Sequence, residues 1–191
     1  NNNSSGYGAG ICALYSTLNI DSSIVTNNSN NGYAEGGGIF LSSSALIISN
    51  SIVSHNSANR FGGICVYTSS SLEANKVLFD ANISSNNGSA IGTVSAGTVN
   101  LTNCTFVNNN YYGLFNSHNY IPDIKNCIIY NNTDGGAFGQ FEINYSNIEG
   151  GWYYGVGNID TDPLFCDPTI GDYSIAQNSP CVGSGENGAN M

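Results

Sequence analysis

The chain contains a short motif that recurs through most of its length: an apolar residue, two further residues and an Asn. The five copies run from Val25 to Asn28, Val53 to Asn56, Phe79 to Asn82, Phe106 to Asn109 and Ile129 to Asn132. Successive Asn residues of the motif are 23 to 28 residues apart. A period in this range is typical of stacked supersecondary units that pack mainly on their neighbours. The repeat therefore predicts a solenoid rather than a domain built around one globular core.

A Gly followed by a large aliphatic residue marks the start of most repeats. This mark occurs at Gly10-Ile11, Gly38-Ile39, Gly63-Ile64 and Gly113-Leu114, and Ile91 takes the same place in another repeat. The apolar runs are short, and clusters of Asn, Gly and Ser bound them, which is the pattern of strands and turns. Charged residues make up only 8% of the chain. Helical repeats need long stretches of helix formers, and leucine-rich repeats need a regular Leu pattern, so neither fits.

These features predict an all-β fold, a right-handed, single-stranded parallel β-helix of about six coils, each stacked about 4.8 Å from the next. Each coil should contain about three short strands, with Gly at corners that need a positive φ or a close backbone approach. Because like residues then lie above like residues, we expect an internal ladder of amide hydrogen bonds formed by Asn28, Asn56, Asn82, Asn109 and Asn132. Residues 1–157 are assigned to the repeats, and residues 158–191 to a C-terminal closing segment packed on the last coil.

Several motifs resemble those of a known group of proteins. The resemblance rests on Gly36-Gly37-Gly38-Ile39, Gly62-Gly63-Ile64, Phe79-Asp80-Ala81-Asn82 and Phe106-Val107-Asn108-Asn109. These are similar to the paired GG-I and FxxN repeats of right-handed β-helix surface proteins, which include the polymorphic outer-membrane proteins and many secreted bacterial repeat proteins. The segments 158–165, 171–173 and 179–181 resemble the closing segment of such proteins. The resemblance implies the fold and leaves the activity open, because pectate-lyase-like folds host lyases, hydrolases, adhesins and inert spacers.

The charge and the termini indicate where the protein acts. The formal net charge is −10, and the only Lys and Arg residues are Arg60, Lys76 and Lys125. Nucleic-acid binding is excluded, because it needs clustered cations. No apolar stretch has the roughly 20 residues of a membrane span. The chain lacks both an initiating Met and a recognisable signal peptide, so we interpret it as a processed or truncated piece of a secreted protein, extracellular or at the cell surface.

The cysteine pattern predicts one disulfide in the tail. The chain has six Cys, and an even number in a secreted protein suggests disulfides. Cys166 and Cys181 lie outside the repeats and are the predicted pair. A bond between them would close a loop of about 14 residues and stabilise the fold by roughly 3 kcal/mol.

The other four cysteines lie within the repeats. Cys104 and Cys127 hold the same place in neighbouring repeats, so they should stack, and a disulfide between them is left open. Cys12 and Cys65 share a column two coil spacings apart, roughly 9.6 Å, which exceeds disulfide reach. We expect these two to be small buried apolar residues.

Acidic residues of the tail allow two interpretations. Asp160, Asp162, Asp167 and Asp172 offer oxygen ligands for Ca²⁺. Alternatively, they cap turns by accepting hydrogen bonds from backbone N–H groups two residues further on. The turn-capping interpretation is favoured, and no other cofactor is indicated, because no CxxC pair or His cluster suggests zinc.

The sequence gives little support for catalysis. The three Lys and Arg residues fall at unrelated phases of the repeat, so a lyase site is poorly supported. Hydrolases of this fold use grouped carboxylates. The candidates Asp80, Asp123, Asp134 and Glu142 show no pair at equal phase in adjacent coils. Whether the chain is an enzyme stays open, and the balance is against it.

Aromatic residues cluster in two turns beside Gly. They are Tyr111, Tyr112, Trp152, Tyr153 and Tyr154. Exposed aromatic faces could form a strip that binds glycans. The alternative, that they pack over coil corners or cover the helix end, is favoured.

Two hypotheses of function follow from these patterns. The leading one is a non-catalytic extracellular structural protein: a surface stalk, adhesin module or filament subunit. Its copies would stack end to end through the unpaired strand edges of the β-helix. The alternative is a carbohydrate-active β-helix module that binds polysaccharides or cleaves them as a lyase or hydrolase.

Overall fold

The computed structural model describes residues 2–32, 35–88, 90–95 and 97–191 of the 191-residue chain. Within these residues the chain forms four parallel sheets and one two-stranded antiparallel sheet. Strands at equivalent places in successive coils pair in parallel, so that Ile39 lies beside Ile64 and Ile64 beside Ile91. The prediction of an all-β parallel β-helix is therefore confirmed.

The strands are grouped below by sheet. Sheet 1 contains Ile11–Leu14, Ile39–Ser42, Ile64–Tyr67, Ile91–Val94, Leu114–Asn116 and Ala137–Phe138. Sheet 2 contains Thr17–Asp21, Ala45–Ser49, Ser71–Asn75, Val99–Thr102, Asp123–Lys125 and Glu142–Asn144. Sheet 3 contains Ile24–Thr26, Ile52–Ser54, Leu78–Asp80, Thr105–Val107, Ile128–Tyr130 and Asn147–Ile148. Sheet 4 contains Asn3–Ser4, Ser29–Asn30, Ser57–Arg60 and Ile83–Asn86.

The remaining elements lie in the tail. The antiparallel hairpin, hereafter the tail hairpin, pairs Phe165–Asp167 with Asp172–Ile175. Two 3₁₀ turns span Pro168–Ile170 and Glu186–Gly188. No helix in the described part of the chain is long and apolar enough to cross a membrane.

The core fills the interior of the coils. Alternate side chains of each strand point inward, as in Ala45–Ser49, where the second and fourth residues are buried. Inward residues stack on similar residues of the next coil, and the rings of Phe79 and Phe106 are parallel within 2° with centroids 4.7 Å apart. In-register stacking thus turns a repeated sequence into a continuous apolar column.

Sheet 4 was not predicted, since about three strands per coil were expected. It forms where the chain between the repeated Asn and the next sheet 1 strand is long, as between Asn56 and Ile64. The corresponding segment between Asn109 and Leu114 is shorter, and sheet 4 ends before it. The additional strand therefore depends on the length of this segment, which is hereafter called the side segment of each coil.

The corners rely on residues other than Gly in left-handed conformation. At most corners, one residue between two consecutive strands has a positive φ. These residues are Tyr15, Ser22, Asn27, Ser43, Asn50, His55, Ser69, Lys76, Ala81, Asn103, Asn108, Asn126, Asn131 and Tyr145. Such a conformation costs about 1–2 kcal/mol for a residue with a side chain. The predicted Gly38 instead allows a close approach, because a Cβ there would lie 2.7 Å from the carbonyl oxygen of Gly63.

The tail first bonds to the last coil. Tyr145 N–H donates to the Val156 carbonyl at 2.8 Å, and Ile148 N–H donates to the Ile159 carbonyl at 2.9 Å. Trp152 of this segment packs against the core. Residues 152–159, at the junction of the repeats and the closing segment, therefore lie on the last coil before the chain turns back along its side.

The tail hairpin lies against sheet 3 through one tyrosine. The Tyr173 hydroxyl donates to Asp80 Oδ1 at 3.1 Å, and Asn108 Nδ2 donates to the Tyr173 oxygen at 2.6 Å. Burial, then the Asp80 charge, raises the pKa of Tyr173 from 10.0 to about 12. The protonated hydroxyl of Tyr173 thus links the tail hairpin to Asp80 of sheet 3.

High pH is expected to release the tail hairpin. Because the pKa of Tyr173 is raised in the folded state, its stabilising contribution is complete below pH 10 and is lost as the pH rises through about 12. The phenolate would then repel Asp80. Ring resonances of labelled tyrosines and amide resonances of the tail hairpin, followed by NMR, should shift together in this range. Loss of the same signals at the same pH in Tyr173→Phe would contradict this mechanism.

Candidate functional site: an aromatic cleft at the end of sheet 2

A ladder of asparagine side chains runs through the interior. Each Nδ2 donates to the Oδ1 of the next Asn, at 2.9, 3.1, 3.1 and 2.8 Å along the series. The backbone N–H of each residue donates to the same oxygen. The members are the repeated residues Asn28, Asn56, Asn82, Asn109 and Asn132. The ladder joins consecutive coils at one corner.

A second ladder, which the sequence interpretation missed, uses Ser and Cys at other corners. Ser23 N–H donates to Ser51 Oγ at 3.0 Å, Cys104 N–H to Cys127 Sγ at 3.4 Å, and Cys127 N–H to Ser146 Oγ at 3.1 Å. Cys104 and Cys127 are thus stacked neighbours, and both are free. Burial raises the pKa of Cys127 well above its ordinary value, so it acts here as a neutral acceptor. The signal was a Ser or Cys directly before five of the six sheet 3 strands, the exception being Val77 before Leu78–Asp80.

The predicted tail disulfide is corrected by the structure, in which all six cysteines are free. Cys166 lies exposed on the tail hairpin, whereas Cys181 is buried and accepts a hydrogen bond from Asn147 Nδ2 at 3.2 Å. The two thiols thus occupy different environments. Cys65 is buried as expected, because Phe61 and Phe115 pack with it on the outer face of sheet 1, whereas Cys12, in the same column on the first strand, is exposed.

The acidic residues of the tail bind backbone groups. Asp162, Asp167 and Asp172 accept hydrogen bonds from the N–H two residues further on, at 2.9, 3.2 and 3.0 Å. Asp160 Oδ1 accepts from Gly150 N–H at 3.3 Å. In the described part of the chain, no three His, Cys, Asp or Glu residues are grouped to hold a metal ion. The contacts support the turn-capping interpretation for Asp162, Asp167 and Asp172, whereas Asp160 binds a more distant backbone group.

The outer face of sheet 2 carries a column of polar residues. Glu73, Asn100, Asp123 and Glu142 lie side by side in register on consecutive strands. Lys125, on the same strand as Asp123, places Nζ 3.5 Å from Asp123 Oδ2. The other oxygen of Asp123, Oδ1, is buried and has no hydrogen-bond partner among the described residues. Two carboxylates are therefore adjacent at the C-terminal end of this face.

This pair corrects the expectation that no two carboxylates share a phase in adjacent coils. The step from Cys127 to the equivalent Ser146 is only 19 residues, shorter than any step between the repeated Asn residues. Strand positions extrapolated from the spacing of the Asn motif are therefore wrong in the last coil. The register of the strands, rather than the mean period, places Asp123 beside Glu142.

A cleft of about 680 Å³ lies where the tail crosses the end of this face. The side chains that line it include Ile121, Gln140, Phe141, Glu142, Trp152 and Tyr154. The rings of Trp152 and Phe141 meet edge to face, with centroids 6.1 Å apart. Trp152 Nε1 is buried, and the described residues offer it no hydrogen-bond acceptor. These residues are hereafter called the aromatic cleft.

The structure separates the predicted aromatic strip into parts. Trp152 and Tyr154 line the aromatic cleft, whereas Tyr153 is 96% exposed and does not. Tyr111 and Tyr112 lie elsewhere. Tyr112 packs on Phe138 of sheet 1, with centroids 5.2 Å apart, which fits the corner-packing interpretation for that residue. Only the Trp152 and Tyr154 part of the strip can contact a ligand in the cleft.

A comparison with known families identifies the fold family. A family model described as a right-handed β-helix region matches residues 10–179. The chain belongs to this right-handed β-helix family. No curated protein and no solved structure matches the chain significantly.

This β-helix also has a small apolar cluster outside its coils, on the outer face of sheet 1. Its buried members are Phe40, Phe61, Cys65 and Phe115. Beside it, Arg60 Nη1 donates to the buried Glu35 Oε1 at 2.5 Å, and Cys65 Sγ donates to Glu35 Oε2 at 3.4 Å. The ion pair thus belongs to the packing of the cluster, which agrees with the poor support for Arg60 as a lyase base.

Proposed function

We propose that this right-handed β-helix is a non-catalytic extracellular scaffold, of the surface-stalk or adhesin kind. The observation that supports this most directly is the Asn ladder, which joins consecutive coils from Asn28 to Asn132. Separating two coils would leave buried amides without partners, at a cost of about 1–3 kcal/mol each. Such a rod holds its length under load. The extracellular location follows the resemblance to secreted repeat proteins.

The two ends of the rod differ. Leu18 and Ile20 of the first sheet 2 strand are partly exposed, whereas their neighbours Leu46 and Ile48 are 1% and 0% exposed. The strand Thr17–Asp21 pairs along one edge only within the described chain. At the opposite end, residues 152–159 lie on the last coil. We therefore propose that the edge of the first coil receives another β-edge, and that two copies of residues 1–191 pair through it.

Size-exclusion chromatography with light scattering tests this stacking. The chain should form concentration-dependent dimers, and Ile20→Lys should be monomeric because a charge would face the partner's apolar end. Asn19→Lys is the matched control, since Asn19 faces outward on the same strand and should leave the dimer intact. A chain that stays monomeric at high concentration, or long filaments in electron micrographs, would contradict the proposed contact. Circular dichroism verifies that both variants fold.

A carbohydrate-active module is the second candidate, and the aromatic cleft is the observation that favours it. The cleft combines aromatic rings, the Gln140 amide and the Glu142 carboxylate beside Asp123. Sustained release of reducing ends or unsaturated products from a panel of polysaccharides would favour an enzyme over a scaffold. Binding without turnover would be compatible with an adhesin.

A further inference from the structure

We infer that the aromatic cleft binds an oligosaccharide that carries protonated amino sugars. The inference goes beyond the scaffold proposal and deepens the carbohydrate-binding candidate by naming the substrate class. It rests on three properties of the cleft: its shape, one amide group and its charge.

The shape of the cleft fits a short oligosaccharide. A volume of about 680 Å³ lies within the range of roughly 300–1,000 Å³ that is typical of small-ligand sites. Trp152 and Phe141 form an aromatic wall, and Tyr154, which is 76% exposed, stands at its side. Aromatic rings offer apolar faces to the C–H faces of sugars, while indole and phenol groups keep a polar edge. The cleft thus provides apolar surface for a pyranose ring.

Polar recognition comes from Gln140, which lines the cleft. A side-chain amide offers both a donor and an acceptor, and sugar hydroxyls can pair with either. Trp152 Nε1 is buried beneath the cleft surface, so the indole contributes its apolar face rather than this N–H.

The charge of the residues at the cleft determines which class of sugar can bind there. Glu142 lines the cleft, Asp123 is its neighbour in register, and the described residues at the cleft include no Lys or Arg. Among the described residues, the cation beside this pair is Lys125, whose Nζ lies 3.5 Å from Asp123 Oδ2. Uronic acids would therefore meet like charge, whereas a protonated amine would pair with Glu142.

Intrinsic fluorescence tests the inference directly, because Trp152 is the only tryptophan in the chain. Titration with glucosamine oligosaccharides at a pH where the amines are protonated should change its emission saturably. N-acetylglucosamine oligosaccharides should bind about tenfold more weakly because they lack the charge. Oligogalacturonates should cause no change. Equal affinity for the two glucosamine series, preference for galacturonates or an unchanged emission at millimolar ligand would overturn the inference.

Matched variants locate the contact. Glu142→Gln should weaken glucosamine binding about tenfold and leave N-acetylglucosamine binding unchanged. Glu73→Gln is its control, since Glu73 lies in the same column but outside the cleft. Tyr154→Ala should weaken both series, whereas Tyr153→Ala should not. If Glu142→Gln weakened binding no more than Glu73→Gln, or Tyr154→Ala no more than Tyr153→Ala, the assigned site would be contradicted. Failure of this inference leaves the dimer measurement untouched, so the two proposals fail independently.

Discussion

Replacing Asn82 by Ala is expected to destabilise the protein by about 3–5 kcal/mol. Asn82 is fully buried, and its Nδ2 donates to the Val53 carbonyl and to Asn109 Oδ1, at 2.9 and 3.1 Å. Its Oδ1 accepts from both nitrogens of Asn56. Truncation would leave the Asn56 N–H without its acceptor and remove the side-chain bonds to Val53 and Asn109 inside the protein, which is far more costly than the loss of one exposed bond.

Urea unfolding monitored by circular dichroism measures this change. Asn19→Ala serves as the control, because Asn19 is an exposed residue of a sheet 2 strand and its replacement should change the free energy of unfolding by no more than about 0.5 kcal/mol. If Asn82→Ala and Asn19→Ala lost similar stability, the ladder would contribute little, and the main argument for a rigid scaffold would be lost.

Replacing Gly92 by Ala is expected to cost about 2–4 kcal/mol through overpacking. A Cβ at Gly92 would overlap Cδ1 and Cε1 of the Phe61 ring. Phe61 is fully buried in the outer cluster of sheet 1, so its ring cannot move aside without exposing apolar surface. Gly92 is thus required by a neighbouring side chain rather than by its own backbone conformation.

A double-mutant cycle tests this explanation. Gly92→Ala should cost much less when Phe61 is already Ala, because the overlapping ring is gone, and the coupling should exceed about 1 kcal/mol. Gly6→Ala is the control, since a Cβ there would meet only Ser4 Oγ at 3.8 Å. Additive effects of the two substitutions in the cycle would show that the Phe61 contact is not the cause.

The regular part of the fold could be predicted because in-register stacking copies the sequence pattern into space. Val53, Phe79 and Phe106 recur at one place of the motif and form neighbouring positions of sheet 3. The corners were harder to predict. Their left-handed residues include Lys76 and Ala81, which have no sequence preference for that conformation, so only the stacked coils on either side determine it.

The candidate site could be predicted only in part. Trp152 and Tyr154 were singled out, but their cleft depends on how the non-repeating tail crosses the last coil, and no neighbouring coil provides a template for that path. The Asp123 and Glu142 pair was missed because the final step between coils is short. The Cys166 and Cys181 disulfide was wrong because two cysteines of a tail can lie close in sequence while one is buried and the other exposed.

The variable side segments have a practical consequence. They differ in length from coil to coil, and sheet 4 forms in some coils and not in others, yet sheets 1 to 3 continue through six strands each. Extra residues in the side segments lengthen the chain at the surface and leave the stacked interior residues in place. Foreign peptides grafted there would be displayed at regular intervals along a stiff backbone, which makes this flank the natural place to engineer multivalent presentation.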